Sequence, residues 1–168
     1  MESGEKVHKF VRTIRQPLQR PMTFFTSEYE TRLDAKGRLA LPARIKAQLP
    51  EGDPQELVLR RGFEPCLMIY PMVEFKKVYA KISALSEFNE EYRRLQRSFL
   101  AGVQPVELDS AGRFLIPKAL LQYAHLDKDV LLVGTGTKLE AWNRTEYEKH
   151  LIQEPSELSE LAEKHLME

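Results

Sequence analysis

Apolar residues along this chain gather in short runs whose spacing alternates between the two-residue period of strands and the three-to-four-residue period of helices. Between Phe24 and Leu33 apolar and polar residues roughly alternate, with Tyr29 and Leu33 set among Glu28, Glu30 and Arg32, which predicts a strand with one buried face. Asp34-Ala35-Lys36-Gly37 follows as a turn. The Asp carboxylate accepts nearby backbone N–H groups there, and the Gly tolerates positive φ. Arg38-Leu39-Ala40-Leu41 reads as the return strand of a hairpin. Pro42 suits the first position of a helix, where its missing N–H costs nothing, and Ala43 to Leu49 places Ile45 and Leu49 on one face of that helix before Pro50-Glu51-Gly52 stops it. Two further short strands, around Leu57 to Arg60 and Cys66 to Tyr70, complete a unit of strand, turn, strand, short helix, strand, strand.

Residues 72 to 100 carry the helical period: Phe75, Val78, Tyr79 and Ile82, then Phe88, Tyr92, Leu95 and Phe99 after a break near Ser83 to Glu87. Such stripes predict core packing, with Arg93, Arg94 and Arg97 lying off the second of them. A last helix is expected from near Arg144, ending in a solvated Glu-rich tail from Glu154. Before Met22 there are few large apolar residues, no clear period, and prolines at 17 and 21, so this stretch reads as a flexible arm. A second reading makes Met22 the natural start.

The pattern repeats. Leu33-Asp34-Ala35-Lys36-Gly37-Arg38-Leu39-Ala40-Leu41-Pro42 returns 75 positions later as Leu108-Asp109-Ser110-Ala111-Gly112-Arg113-Phe114-Leu115-Ile116-Pro117. Beyond it, Val58-Leu59 through Gly62 to Cys66-Leu67-Met68-Ile69-Tyr70-Pro71 aligns with Val130-Leu131 through Gly134 to Lys138-Leu139-Glu140-Ala141-Trp142-Asn143 at an offset of 72. A copy of roughly 45 residues is small for a self-sufficient core, so the two copies are expected to complete each other. The expected organisation is a flexible basic extension over 1–21, a first unit over 22–71, a helical connector over 72–102, a second unit over 103–143, and a C-terminal helix with acidic tail over 144–168.

Composition narrows the function classes. With 42% hydrophobic residues the chain can bury a core, and no stretch approaches a membrane span, so a cytoplasmic protein without membrane partners is expected. The net charge of zero conceals a basic first end and an acidic last one. Cys66, alone and within an apolar run, reads as a small buried hydrophobe. His8, His125, His150 and His165 are scattered, no Gly-rich phosphate loop or nucleophile elbow appears, and Asp34 and Asp109 are explained by turn hydrogen bonding; neither an enzyme nor a cofactor or metal is expected.

The doubled Leu-Asp-x-x-Gly-Arg-x-x-x-Pro phrase, the run Arg97-Ser98-Phe99-Leu100-Ala101-Gly102, and Leu131-Leu132-Val133-Gly134 leading to Glu140-Ala141-Trp142 together resemble the MraZ family of bacterial transcriptional regulators. The resemblance covers about Met22 to Leu151. It implies an α+β, β-rich fold of two tandem SpoVT-AbrB-type swapped-hairpin barrel units forming a pseudo-dimer, with helices between the units and at the C-terminus. It further implies assembly of many subunits into rings, and repression at short tandem repeats in the promoter of the division and cell wall gene cluster, the protein's own gene included, hence a nucleoid-associated location. The extra residues 1–21 depart from the family pattern, which places the first unit close to the start.

Comparing the two copies singles out candidate DNA contacts. From 31 to 49 the first has Arg32, Lys36, Arg38, Arg44 and Lys46 against Asp34, a balance of +4; from 106 to 124 the second has Arg113 and Lys118 against Glu107 and Asp109, a balance of zero. Duplex DNA calls for clustered cations, so the first copy is the expected DNA face. A two-stranded ribbon fits the major groove, where Arg38 would read guanine, with Lys36, Arg32 and Arg44 on phosphates. An alternative holds for Arg38: because Arg113 occupies the same place in the neutral copy, an arginine there would simply pair with the turn Asp. A second functional class also stands, a non-enzymatic protein-interaction adaptor built on the same barrel.

Overall fold

The computed structural model describes residues 23–51 and 55–167. The arm expected over 1–21 and the alternative start at Met22 lie outside the described residues. The first copy contributes β1 (Glu28–Arg32), β2 (Arg38–Ala40), α1 (Ala43–Gln48), β3 (Glu56–Arg61), β4 (Leu67–Pro71), α2 (Met72–Ser83) and α3 (Glu90–Leu100). The second contributes β5 (Gln104–Glu107), β6 (Arg113–Leu115), α4 (Lys118–Tyr123), β7 (Asp129–Gly134), β8 (Leu139–Trp142), α5 (Arg144–His150) and α6 (Pro155–Leu166).

The two copies build one antiparallel sheet of order β1-β7-β8-β4-β3-β5, and β2 pairs with β6 in a separate ribbon. That order is unchanged when the copies are exchanged. The first strand of each copy leaves its own unit and pairs with the third strand of the other, β1 with β7 and β5 with β3. The exchange is reciprocal in its hydrogen bonds as well: Leu41 N–H donates to the Gly112 carbonyl and Ile116 N–H to the Gly37 carbonyl, both at 3.0 Å. A pseudo-twofold axis therefore passes between Leu39 and Phe114 in the ribbon and between Met68 and Glu140 in the sheet. Neither copy has a complete sheet without the other, as their small size led us to expect.

The four central strands are nearly continuous apolar runs because both of their faces are covered. Leu57, Leu59, Leu67, Ile69, Val130, Leu132, Leu139 and Ala141 face one core, closed by Leu39 and Phe114 of the ribbon and by Ile45 and Leu120 of α1 and α4. Val58, Met68, Tyr70, Leu131, Val133 and Trp142 face the other, beneath Phe75 of α2, Phe99 of α3 and Tyr147 of α5. Each of the Leu, Ile, Val, Met and Phe side chains among these contributes about 1.5–3 kcal/mol on leaving water.

Four details differ from the sequence reading. Pro42, like Pro117 and Pro71, stands just before its helix as the cap residue with extended ψ, rather than as the first helical residue. The offset of 72 holds for β4 and β8, whereas β3 and β7 correspond at 73: Leu33 N–H donates to the Lys128 carbonyl where Leu108 N–H donates to that of Gln55. The turn between Gly62 and Cys66 is one residue longer than that between Thr135 and Lys138, which absorbs the difference. The Glu-rich tail forms the helix α6. Finally, the stripe of Phe88, Tyr92 and Leu95, expected in the core, is exposed, as is Tyr79 of the first stripe; of the second set only Phe99 packs inward.

Candidate nucleic-acid interface

The ribbon β2–β6 alternates strictly. Leu39 and Phe114 point inward and are fully buried, so their neighbours Arg38 and Ala40, paired with Leu115 and Arg113, must point outward. Two arginines thus lie diagonally across one outer face, related by the pseudo-twofold axis, with Leu115 beside Arg38 and 53% exposed.

Each arginine grows out of a turn that its own aspartate organises. Asp34 Oδ1 accepts the N–H groups of Lys36 and Arg38, both at 2.9 Å, and Oδ2 accepts Arg38 Nε at 2.7 Å. Asp109 repeats this with Ala111, Arg113 and Arg113 Nε. Gly37 and Gly112 close the turns at φ +80° and +75°, where a Cβ would be strained. The Arg38 backbone N–H has the largest part in holding the Asp34 carboxyl below the usual carboxylate range; desolvation works against it, and the Arg38 guanidinium and the Lys36 N–H add to it. Asp109 is lowered in the same way, chiefly by the Arg113 N–H. The pairing proposed as the alternative for Arg38 is therefore present in both copies.

The other candidates are dispersed around this face. Lys36 is exposed at the tip of the first turn, and Arg44 is exposed on α1. Arg32, at the end of β1, forms an exposed ion pair with Asp129 of the other copy through Nε at 3.0 Å. Strand exchange also moves charge between copies. Lys46, counted with the first copy, lies against Gly112 in the second turn. Lys118, counted with the second copy, lines an open groove with Asp34, Ala35 and Gly37 of the first turn. The copy-by-copy charge balance counted Lys118 and Arg113 with a neutral second copy, whereas the strand pairing brings both to this face. The cationic face is shared by both turns rather than confined to the first copy.

An exchanged tandem repeat that presents two aspartate-braced arginines on a short ribbon defines the class of protein: a two-copy α+β scaffold built around a pseudo-twofold axis. Comparison with known sequences identifies the family. The profile of the MraZ protein family matches residues 24–98 and again 99–167. A protein of Cytophaga hutchinsonii named "Transcriptional regulator MraZ" is 54% identical over 145 residues, covering 86% of this chain and 96% of the relative. Proteins of the same name from Bifidobacterium longum, 38% identical over 80% of this chain and 87% of theirs, and from Carboxydothermus hydrogenoformans, 37% identical over 83% and 95%, are similar along the same length. The chain belongs to the MraZ family.

Proposed function

We propose that this chain is a sequence-specific, DNA-binding transcriptional regulator that works as a multi-subunit assembly in the cytoplasm, associated with the nucleoid, and represses promoters carrying tandem short repeats, that of the division and cell wall cluster and its own gene among them. The names of its relatives support the class. The observation that carries the DNA face is the outward pair Arg38 and Arg113 on a ribbon narrow enough for the major groove, flanked by Lys36, Lys118, Lys46 and Arg44. Bracing by aspartate leaves this role open, because each arginine uses Nε for the turn, and the remaining guanidinium nitrogens can form the bidentate contact to guanine O6 and N7. A guanidinium already fixed by the turn loses less side-chain freedom on binding. Lys36 and Arg44 serve phosphates, and Arg32 contributes less because Asp129 neutralises it.

One ribbon touches few base pairs, so a single subunit binds weakly. Several ribbons on one assembly gain effective concentration and read the spacing of repeats as well as their sequence. Fluorescence anisotropy with a duplex of the promoter repeats against a scrambled duplex, at two salt concentrations, tests this. The expected result is preference for the repeats, weakened by salt. Arg38→Ala should remove that preference by about ten- to a hundredfold, whereas Lys36→Ala should weaken both duplexes and reduce the salt slope by about one. Equal or negligible binding of the two duplexes by the unaltered chain would return the protein to the adaptor class.

A further inference from the structure

The outer face of the ribbon is not wholly cationic. β2 presents Arg38 and Ala40 there and β6 presents Arg113 and Leu115, so that Arg38 stands opposite Leu115 and Arg113 opposite Ala40. Leu41 N–H donates to the Gly112 carbonyl and Ile116 N–H to that of Gly37. The hydrogen-bonded pairs of this ladder therefore run through Leu39 with Phe114, and both outward pairs fall between them. Facing residues at such positions stand about 4.5 Å apart at Cα, the closer of the two spacings in an antiparallel ladder, which keeps each arginine and its apolar neighbour side by side. Leu115 is 53% exposed while Phe114 and Ile116 on either side of it are buried. Its Cδ1 reaches over the first turn, 3.9 Å from where a Cβ on Gly37 would stand. More than half of this leucine stays in water in the chain itself, so that part of its surface is buried only when a partner covers the ribbon.

The pseudo-twofold axis carries Leu115 onto Ala40. Two equivalent arginines alone would read a palindrome, since the symmetry of a site mirrors that of the surface that binds it. The lysines near each turn, Lys36 and Lys118 at the first and Lys46 at the second, act on phosphates, which carry no sequence information. Among these outward side chains, base discrimination between the two halves falls to the leucine. In the major groove the apolar group on a base edge is the 5-methyl of thymine, which cytosine lacks. Successive bases of one strand are about 3.4 Å apart, close to the spacing of a facing pair, so the base under Leu115 adjoins the one under Arg38.

We infer that Leu115 is a specificity-determining residue of the DNA face: its side chain covers the 5-methyl group of a thymine adjoining the guanine read by Arg38. Ala40, shorter by the isopropyl group, makes no equal contact beside Arg113, and the ribbon thereby gains one direction on the duplex. Tandem repeats, in which every site points the same way, suit such a ribbon better than an inverted pair does. This deepens the DNA-binding part of the proposed function and rests on it.

Deoxyuridine tests the contact, because it differs from thymidine by that methyl group alone. Anisotropy of the full chain is read on the promoter-repeat duplex, on the same duplex with deoxyuridine in place of the thymine beside a guanine in each repeat, and on the scrambled duplex. The unaltered chain should bind the deoxyuridine duplex about fourfold more weakly per repeat, the effect of one methyl group left in water. Leu115→Ala should bind the thymine and deoxyuridine duplexes equally while still preferring both to the scrambled one through Arg38. Its melting temperature should match that of the unaltered chain, since Leu115 is largely exposed. With deoxyuridine placed at one position at a time, the loss should fall on the same side of the guanine in every repeat. Equal binding of thymine and deoxyuridine duplexes by the unaltered chain would overturn the inference and leave the DNA face standing. So would a loss that persists in Leu115→Ala, or repeats in which no thymine adjoins a guanine. An unaltered chain that binds repeats and scrambled duplex equally would overturn the inference and the DNA-binding reading together.

Discussion

Asp34 uses two oxygens for three bonds, and so the first turn is sensitive to its protonation. Because its folded pKa, like that of Asp109, lies below the unfolded value of about 3.9, the stability each adds is present above that pH and is lost as pH falls through the lower folded value. At neutral pH both braces are complete. A double Asp34→Asn, Asp109→Asn variant should therefore melt lower than the unaltered chain at pH 7, and the two should converge as melts are repeated toward pH 3; parallel curves across that range would show that the carboxylates do not brace the turns. Cys66 is a contrasting case. Its side chain is fully buried, and burial first, then the charges of Glu140 and Glu64, push the thiol up to about 12. The thiolate is the reactive form, so a maleimide or disulfide reagent at pH 8 should leave the native protein unmodified and label it once denatured. Prompt labelling of the folded chain would contradict the burial. Arg60, the one buried charged residue among the described residues, holds Tyr70 Oη with Nε and Nη2 at 3.3 and 2.8 Å and lies 4.8 Å from the Phe99 ring centroid. Tyr70→Phe removes the acceptor beneath a desolvated guanidinium and should cost about 1–3 kcal/mol in urea unfolding; an unchanged midpoint would mean that the pair is dispensable.

At the scale of elements, the copies are not interchangeable where they meet. Gly134 ends β7 so close to the incoming chain that a Cβ there would come within 2.4 Å of Thr26 N and 2.5 Å of the Phe25 carbonyl carbon. Arg61 holds the corresponding place in the first copy, since β3 and β7 correspond at 73. Gly134→Ala should push the Phe25 segment, with its reciprocal backbone bonds to Gly136, off the sheet at a cost of about 1–3 kcal/mol, read as a lower denaturant midpoint. The same strand marks where the sequence stopped being legible. The doubled turn phrase carried its own register because Asp, Gly and Arg have fixed places in a turn. Val58-Leu59 and Val130-Leu131 did not, since strands apolar on both faces look alike under a one-residue slip, and that slip exchanges the two cores. The elements up to α3 were readable from period and turn residues. Their pairing was not, because which strand crosses to which copy is decided by packing between distant segments. For the same reason a charge count taken copy by copy does not give the charge around each turn: Lys46 and Lys118 are local to one copy in sequence and to the other in space. The stripe of Tyr92 and Leu95 was misread as core because helical period reports that a face is apolar and says nothing of whether its cover lies in the same chain.

Across the whole molecule, strand exchange makes the fold inseparable from the covalent link between copies. Within one copy, β2 meets its own unit only at the isolated Leu33–Leu39 bridge and takes its strand partner, β6, from the other copy, as β1 takes β7. A polypeptide of residues 24–98 alone would leave β1 and β2 without their strand partners β7 and β6 and the edge of β3 unpaired, with Leu39 and Ile45 denied the Phe114 and Leu120 that close their core. Residues 99–167 alone would be in the mirrored position. Neither half should therefore give a folded monomer, and the small size of each copy leaves no second core to fall back on. Mixed and refolded together, the halves should recover the cooperative melt and the circular dichroism spectrum of the intact chain, at a midpoint that rises with concentration, because the link that made β1–β7 and β2–β6 intramolecular has been removed. A folded, cooperative monomer of 24–98 would show that the exchange is optional. The expected dependence also bears on the DNA face, since Arg38 and Arg113 reach the same outer surface only when β2 and β6 pair. Refolded halves should thus regain binding to the repeat duplex in step with the melt, with neither half alone binding it, and a half that binds alone would place the recognition surface within one copy rather than across the axis between them.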